Sequence, residues 1–176
     1  MSTRIDQSAN SDGNVLRFAA LAADHGWSRA TFERFRQERD IDVSEALNRW
    51  PAYERSLAWS FNQIADEAML ASWQGKQPSL RELMSARFDQ NLPYKRAVAA
   101  LARSDALHPF DTLLRTAQTA RRMRALCTPH RAGRFARWSL VFLYSAVVLV
   151  WLADATLEQR RTRAAVRAAA FILGAP

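Results

Sequence analysis

The sequence predicts an all-helical protein. Only 5 glycines and 6 prolines occur among 176 residues, far fewer than the tight turns of a sheet protein would need. Apolar residues instead recur at helical spacing, and residues that begin or end helices separate these segments. We expect about nine helices, arranged as an N-terminal three-helix domain with a helix-turn-helix and a larger C-terminal helical bundle.

The N-terminal segment begins with polar residues. Residues 1–13 contain no apolar run, which predicts a flexible tail and argues against a secretory signal peptide. Val15, Phe18, Ala19 and Ala22 then follow at helical spacing. Gly26 tolerates the left-handed geometry found at helix ends, so the first helix is predicted to stop there.

Two short helices are predicted after Gly26. Ser28 or Thr31 can begin the second helix, because either hydroxyl can accept a hydrogen bond from an unpaired backbone N–H. Asp42 is a suitable N-cap for the third helix, and Pro51 ends it. These elements predict a helix-turn-helix domain at residues 14–52.

The remaining residues, 53–176, are predicted to form the helical bundle. A long helix runs from Tyr53 to the break at Gly75, and Ser79 with Glu82 has the pattern of a capping box. Residues 138–153 form a run of sixteen residues without a charge. A membrane-spanning helix needs about 20 such residues, so we interpret this run as a buried core or an interface.

The positive charge is confined to the second part of the chain. The net charge is +8, yet residues 1–60 contain 8 arginines against 9 acids. Residues 115–137 contain seven arginines and no acid. This cluster is either a patch for anionic lipid or nucleic acid, or the solvated face of two helices; the second interpretation is favoured because charged runs at helical spacing usually serve solubility.

The sequence contains few residues that could form a catalytic, metal or phosphate-binding site. Cys127 is the only cysteine, which excludes an intramolecular disulfide and indicates a reducing cytoplasm. Cys127 and His130 are three residues apart, but two ligands do not make a zinc site. No glycine-rich phosphate loop and no specific set of nucleophile, base and orienting group can be assembled. The sequence therefore predicts a protein without catalytic residues, metal or cofactor.

Residues 21–57 carry a family resemblance. The stretch LAADHGWSRATFERFRQERDIDVSEALNRWPAYERSL resembles the N-terminal domain of the tetracycline-repressor (TetR) family without a gap. Gly26-Trp27 occupies the glycine-aromatic position, Thr31-Phe32 the capped second helix, and Arg49-Trp50-Pro51 the end of the recognition helix.

The C-terminal part is similar to a domain of one branch of these regulators. LRELMSARFDQNLPYKRAVAALAR and RWSLVFLYSAVVLVWLADATLEQRRTRAAV also resemble the lipid-binding proteins of coenzyme Q biosynthesis. Arg87-Phe88-Asp89, Trp151, Asp154 and Thr162 are the most recognisable points. The resemblance implies a homodimer in which the last two helices of each subunit form a four-helix interface.

This resemblance implies a cytoplasmic, dimeric transcriptional regulator that binds a double-stranded DNA operator and responds to a small hydrophobic effector. Arginines and polar side chains of the head would contact DNA, and apolar side chains would line an effector pocket. The expected DNA-binding residues are Arg29, Thr31, Arg34, Ser44, Asn48, Arg49 and Tyr53. The expected pocket residues are Phe88, Leu113, Met123, Phe142 and Trp151.

Departures from the family pattern support an alternative. The turn glycine and serine of the family fall on Asp40 and Asp42, and its phosphate-contacting tyrosine and lysine fall on Leu47 and Tyr53. Protein–DNA affinity depends largely on phosphate neutralisation, which these changes weaken. The alternative is a lipid-binding or protein-interaction accessory with the same fold that does not bind DNA.

Overall fold

The computed structural model describes residues 3–73, 77–127 and 136–174. Within these ranges the protein is all helical and has no strand, as the sequence predicts. A short 3-10 turn at Leu92–Tyr94 precedes the sixth α-helix. The nine described α-helices are α1 (Thr3–His25), α2 (Arg29–Glu38), α3 (Val43–Arg49), α4 (Glu54–Ala71), α5 (Leu80–Asn91), α6 (Lys95–Asp105), α7 (Pro109–Leu126), α8 (Ala136–Ala153) and α9 (Arg160–Ile172).

The predicted helix ends in the N-terminal half are confirmed. Gly26 follows α1 with a φ of 86°, and the Ser28 hydroxyl accepts a hydrogen bond from the backbone N–H of Thr31. Asp42 caps α3 through the N–H of Ser44 at 2.8 Å. One expectation is wrong in its secondary structure: α1 begins at Thr3, within the predicted tail at 1–13. Once a helix has formed, each further residue adds a hydrogen bond, so a polar segment can extend it without an apolar face.

The first compact unit comprises residues 1–64 and 94–108. Its core is aromatic: Phe18 makes an edge-to-face contact with Trp27 at 5.0 Å, and Phe32 makes one with Trp50 at 6.3 Å. The indole N–H of Trp27 donates to the carbonyl of Glu54 at 2.9 Å. This unit therefore extends beyond the predicted domain at 14–52. The reason is that α6, which follows in the sequence only after α5, packs against α1 and buries more of its apolar surface.

The second compact unit comprises residues 65–93 and 109–176, so its first residues also differ from the predicted boundary at 53. In its core, Phe88 of α5 stacks on Tyr144 at 5.8 Å and approaches Trp151 at 5.5 Å. Helix α8, which has no charged residue from 138 to 153, supplies both Tyr144 and Trp151. No described helix is long and apolar enough to span a bilayer.

A buried ionic cluster joins three helices of the second unit. Asp66 of α4 is 0% exposed, and its carboxylate accepts hydrogen bonds from Arg87 Nε of α5 at 3.0 Å and from the Thr119 hydroxyl of α7 at 3.0 Å. Arg122 Nη1 of α7 lies 3.4 Å from the other carboxylate oxygen. Burial raises the pKa of Asp66 above its usual value, while Arg87, Thr119 and Arg122 act in the opposite direction.

We predict that Asp66→Ala lowers the free energy of unfolding by about 3–5 kcal/mol, because the substitution leaves Arg87 buried without its carboxylate. Urea denaturation followed by circular dichroism measures this loss. Asp24→Ala is the control, since it removes a solvent-exposed ion pair with Arg96 and is expected to cost less than about 1 kcal/mol. Equal losses in the two variants would contradict a stabilising role for the cluster.

Candidate functional site

Helices α2 and α3 form the surface that the sequence assigns to DNA. We call the exposed side of these two helices the head surface. Five of the seven predicted DNA-binding side chains lie on it: Arg29, Arg34, Ser44, Asn48 and Arg49. The helix-turn-helix connection contains Asp40 with a φ of 50°, a left-handed conformation that aspartate tolerates better than most residues.

The three predicted arginines of the head surface already have partners. Each forms an ion pair with a glutamate four residues away on its own helix. The pairs are Arg29–Glu33 at 2.8 Å, Arg34–Glu38 at 2.7 Å and Arg49–Glu45 at 2.9 Å. Such exposed pairs are individually weak. A DNA phosphate would nevertheless compete with a carboxylate for every one of these guanidinium groups.

The remaining predicted DNA-binding residues differ in exposure. Thr31 is only 3% exposed, and its hydroxyl donates to the carbonyl of Gly26 at 2.7 Å. The prediction that the Thr31 side chain faces DNA is therefore wrong, because its hydroxyl ties α2 to the end of α1. Tyr53 is half-buried, and the Arg29 guanidinium lies over its ring at 2.9 Å from the centroid.

Ser44 is exposed but interacts with a carboxylate. Its hydroxyl and its backbone N–H both donate to the carboxylate of Asp42. The hydroxyl bond, followed by the N–H bond, holds the pKa of Asp42 below its usual value. Asp42 therefore stays negatively charged at the start of α3, where it would disfavour a nearby phosphate.

The predicted effector-pocket residues differ in how much of each side chain is exposed. Phe88, Met123 and Trp151 are buried in the second unit. Leu113 is half-buried, and Phe142 lies on the outside of α8 with 64% of its surface exposed. The sequence could not place Phe142, because α8 is apolar all round and gives no sign of which face is buried.

A strip of large apolar side chains on α8 faces solvent. Trp138, Phe142 and Leu149 are separated by four and seven residues, so they lie on one side of the helix; we call them the α8 strip. Leu149 is 65% exposed. Phe171 and Ile172 are also exposed at the end of α9. Apolar groups that share a face in this way mark interaction surfaces more often than scattered ones do.

The connection between α8 and α9 is built around Asp154. This side chain is 2% exposed and accepts hydrogen bonds from the Thr156 hydroxyl at 2.6 Å and the Thr162 backbone N–H at 2.8 Å. The Thr162 hydroxyl also donates to it, at 2.9 Å. These bonds, with the Thr156 hydroxyl first, hold the pKa of Asp154 far below its usual value of 3.8. Asp154 and Thr162 thus fix the turn.

The arginine cluster at 115–137 is not a single solvated face in its described part. Arg115 is buried, and Arg122 binds Asp66 inside the second unit. Arg121 is exposed. The side chains of Arg131, Arg134 and Arg137 lie outside the described residues. The favoured interpretation therefore fails for Arg115 and Arg122.

Metal and thiol chemistry find little support in the described ranges. No group of three or more histidines, cysteines, aspartates and glutamates there could hold a metal ion. Cys127 is half-buried, and burial raises the pKa of its thiol, which makes it less nucleophilic. His130, three residues after Cys127 in the sequence, lies outside the described residues.

Comparison with known protein families, with curated proteins and with solved structures finds no match to this chain.

We predict that Asp154→Asn lowers the urea midpoint at neutral pH and that this deficit shrinks as the pH falls below about 4. The folded-state pKa lies below the unfolded value, so the contribution of Asp154 is present above the unfolded pKa and is lost as the pH falls through the folded one. Urea midpoints between about pH 2 and pH 7 measure the effect.

Asp12→Asn is the control for Asp154→Asn, because it removes the same charge from an exposed position on α1. A deficit in Asp154→Asn that stays constant across the whole pH range would contradict stabilisation by the ionised carboxylate.

Proposed function

We propose that this chain is a non-enzymatic, homodimeric accessory protein that binds a lipid or protein partner through its second unit, as the coenzyme Q proteins that it resembles would suggest. The α8 strip is the observation that carries the proposal. It presents Trp138, Phe142 and Leu149 to solvent on the helix that the resemblance assigns to the dimer interface.

Energetics support dimerisation through this face. Full burial of one large apolar side chain contributes roughly 1.5–3 kcal/mol, and a two-fold axis brings the same strip from both subunits into one interface. A specific interface of standard size buries about 800 Å² on each partner. Phe171 and Ile172 at the end of α9 add apolar surface on the second helix of the implied four-helix arrangement.

The head surface supports the same proposal, because its charges do not favour the alternative function of DNA binding. Each predicted arginine contact is paired with a glutamate, and Asp42 adds a further negative charge. Non-specific DNA affinity arises from the neutralisation of phosphates by free basic groups. The head surface would therefore offer little electrostatic attraction to a duplex.

We predict that the wild-type chain has a mass in solution of twice 20.0 kDa and that Leu149→Glu is a monomer of unchanged helix content. A buried charge in the strip would prevent the two copies from associating. Light scattering after size exclusion measures the mass. Leu107→Glu is the matched control, because Leu107 is equally apolar and exposed but lies in the first unit.

A monomeric wild type, or a Leu149→Glu variant that remains dimeric, would contradict this interface. Extraction of the purified dimer followed by mass spectrometry then tests the partner, and recovery of a stoichiometric lipid would identify it as a lipid. A dimer that carries no lipid would instead favour the protein-interaction form of the proposal.

A second candidate is the DNA-binding regulator with a hydrophobic effector. The helix-turn-helix geometry favours it, because α2 and α3 are joined by a tight turn at Asp40 and α3 exposes Asn48, a suitable base-reading residue, beside Arg49.

For the regulator we predict sequence-specific binding to the duplex that flanks the gene, with Asn48→Ala weakening it and Glu45→Gln strengthening it. Glu45→Gln frees Arg49 from its ion pair and leaves that guanidinium available to a phosphate. Fluorescence anisotropy at two salt concentrations measures both effects. Affinity equal to that for a random duplex would exclude the regulator and leave the accessory protein.

A further inference from the structure

A groove between α5 and α9 in the second unit is lined by basic side chains. The hollow has a volume of about 310 Å³. Arg81 of α5 and Arg163 and Arg167 of α9 line it, and all three are exposed to solvent. Asp89 is the one carboxylate among the described lining residues. The groove therefore carries an excess of positive charge.

These three arginines differ from those of the head surface. None of them forms an ion pair with a carboxylate in the described part of the chain, whereas Arg160 on the same helix pairs with Glu158 at 2.8 Å. The neighbouring acid Glu82 is used in the capping box, where it accepts from the backbone N–H of Ser79 at 2.8 Å.

The second carboxylate near the arginines is also engaged. Asp89 accepts a hydrogen bond from the side-chain amide of Gln159 at 3.3 Å. Both acids next to the groove thus accept hydrogen bonds from groups other than arginine, and the charge of Arg81 acts on Glu82 as a smaller effect that lowers its pKa. The guanidinium groups of Arg81, Arg163 and Arg167 remain available for a ligand that accepts hydrogen bonds.

The groove is also lined by a hydroxyl group, which can donate a hydrogen bond, and by apolar side chains. Ser85 contributes a hydroxyl, and Phe88 and Val166 form an apolar part of the wall. An adjoining hollow of about 530 Å³ shares Arg81, Ser85 and Asp89 and is lined in addition by Trp73 and by the acid Glu82. The Trp73 indole N–H is a buried donor that has no hydrogen-bond partner among the described groups.

We propose that the α5–α9 groove is a binding site for a phosphate or pyrophosphate group. Guanidinium groups match phosphate oxygens with paired hydrogen bonds, and such charge-assisted bonds are about twice as strong as neutral ones. A phosphate has more acceptor oxygens than a carboxylate, which suits a groove with three arginines. The apolar wall and the adjoining hollow can accommodate the organic part of a phosphorylated ligand. This inference does not rest on the proposed function.

Inorganic pyrophosphate is the probe, titrated into the full chain by isothermal calorimetry at about 0.1 M salt, where distant charges are screened. Arg163→Gln and Arg167→Gln are each expected to weaken binding by about tenfold, the loss of one charge-assisted contact. Asp89→Asn is expected to strengthen binding severalfold, because it removes the negative charge from the groove.

Arg161→Gln is the matched control. Arg161 is an exposed arginine on α9 that does not line the groove, so its loss changes the net charge equally but should alter affinity by less than about twofold. Equal weakening by Arg161→Gln and Arg163→Gln would overturn the site, because it would indicate general attraction alone. No binding of pyrophosphate at about 10 mM would also overturn it.

The phosphate can come from a soluble compound or from a lipid headgroup. A second set of measurements uses phosphatidylcholine vesicles that contain phosphatidic acid. If the chain binds these vesicles and Arg163→Gln weakens that binding, the result supports the site with a lipid headgroup as its ligand. If the chain binds pyrophosphate but does not bind these vesicles, the result supports the site with a soluble phosphate compound as its ligand. Leu149→Glu should bind pyrophosphate normally, which separates this test from that of the α8 strip.

Discussion

The buried carboxylate of Asp66 links α4 to α5 and α7 and so constrains the second unit. A charge in an apolar core must be neutralised, so Arg87 of α5 and Thr119 of α7 are held against it. These contacts fix the rotation of each helix about its own axis. With Arg87 turned inward on α5, Ser85 and Asp89 turn toward α9 and line the arginine groove. An interior ion pair thus determines the chemistry of an exterior surface.

The predicted arginines of the head surface and the arginines of the α5–α9 groove differ in their partners. On α2 and α3 each of the three predicted DNA-contacting arginines forms an ion pair with a glutamate four residues away on the same helix. The positive charge of these arginines is therefore balanced locally. In the α5–α9 groove the nearby acids are occupied by Ser79 and Gln159 instead. The groove would therefore offer an anionic ligand more available guanidinium groups than the head surface does.

Local features of the fold could be predicted from the sequence because they depend on neighbours in the chain. The caps at Ser28, Asp42 and Ser79 and the break at Gly26 are confirmed. Contacts between distant segments could not be predicted in the same way. Asp66 and Thr119 are 53 residues apart, and only a polar residue on the apolar side of α4 hinted at a buried partner.

The same limit applies to the candidate sites. An exposed helix position can be recognised by pattern, and five of the seven predicted head residues are indeed on the surface. The ion pair between Arg29 and Glu33 could be predicted from their spacing alone, because residues four apart on a helix are neighbours. The groove could be found only once the packing of α9 beside α5 was known.

The first unit is discontinuous in the chain, because α6, which completes it, follows α5 in the sequence. During synthesis on the ribosome, the face of α1 that α6 covers therefore stays unburied until a segment that begins seventy residues after the end of α1 has emerged.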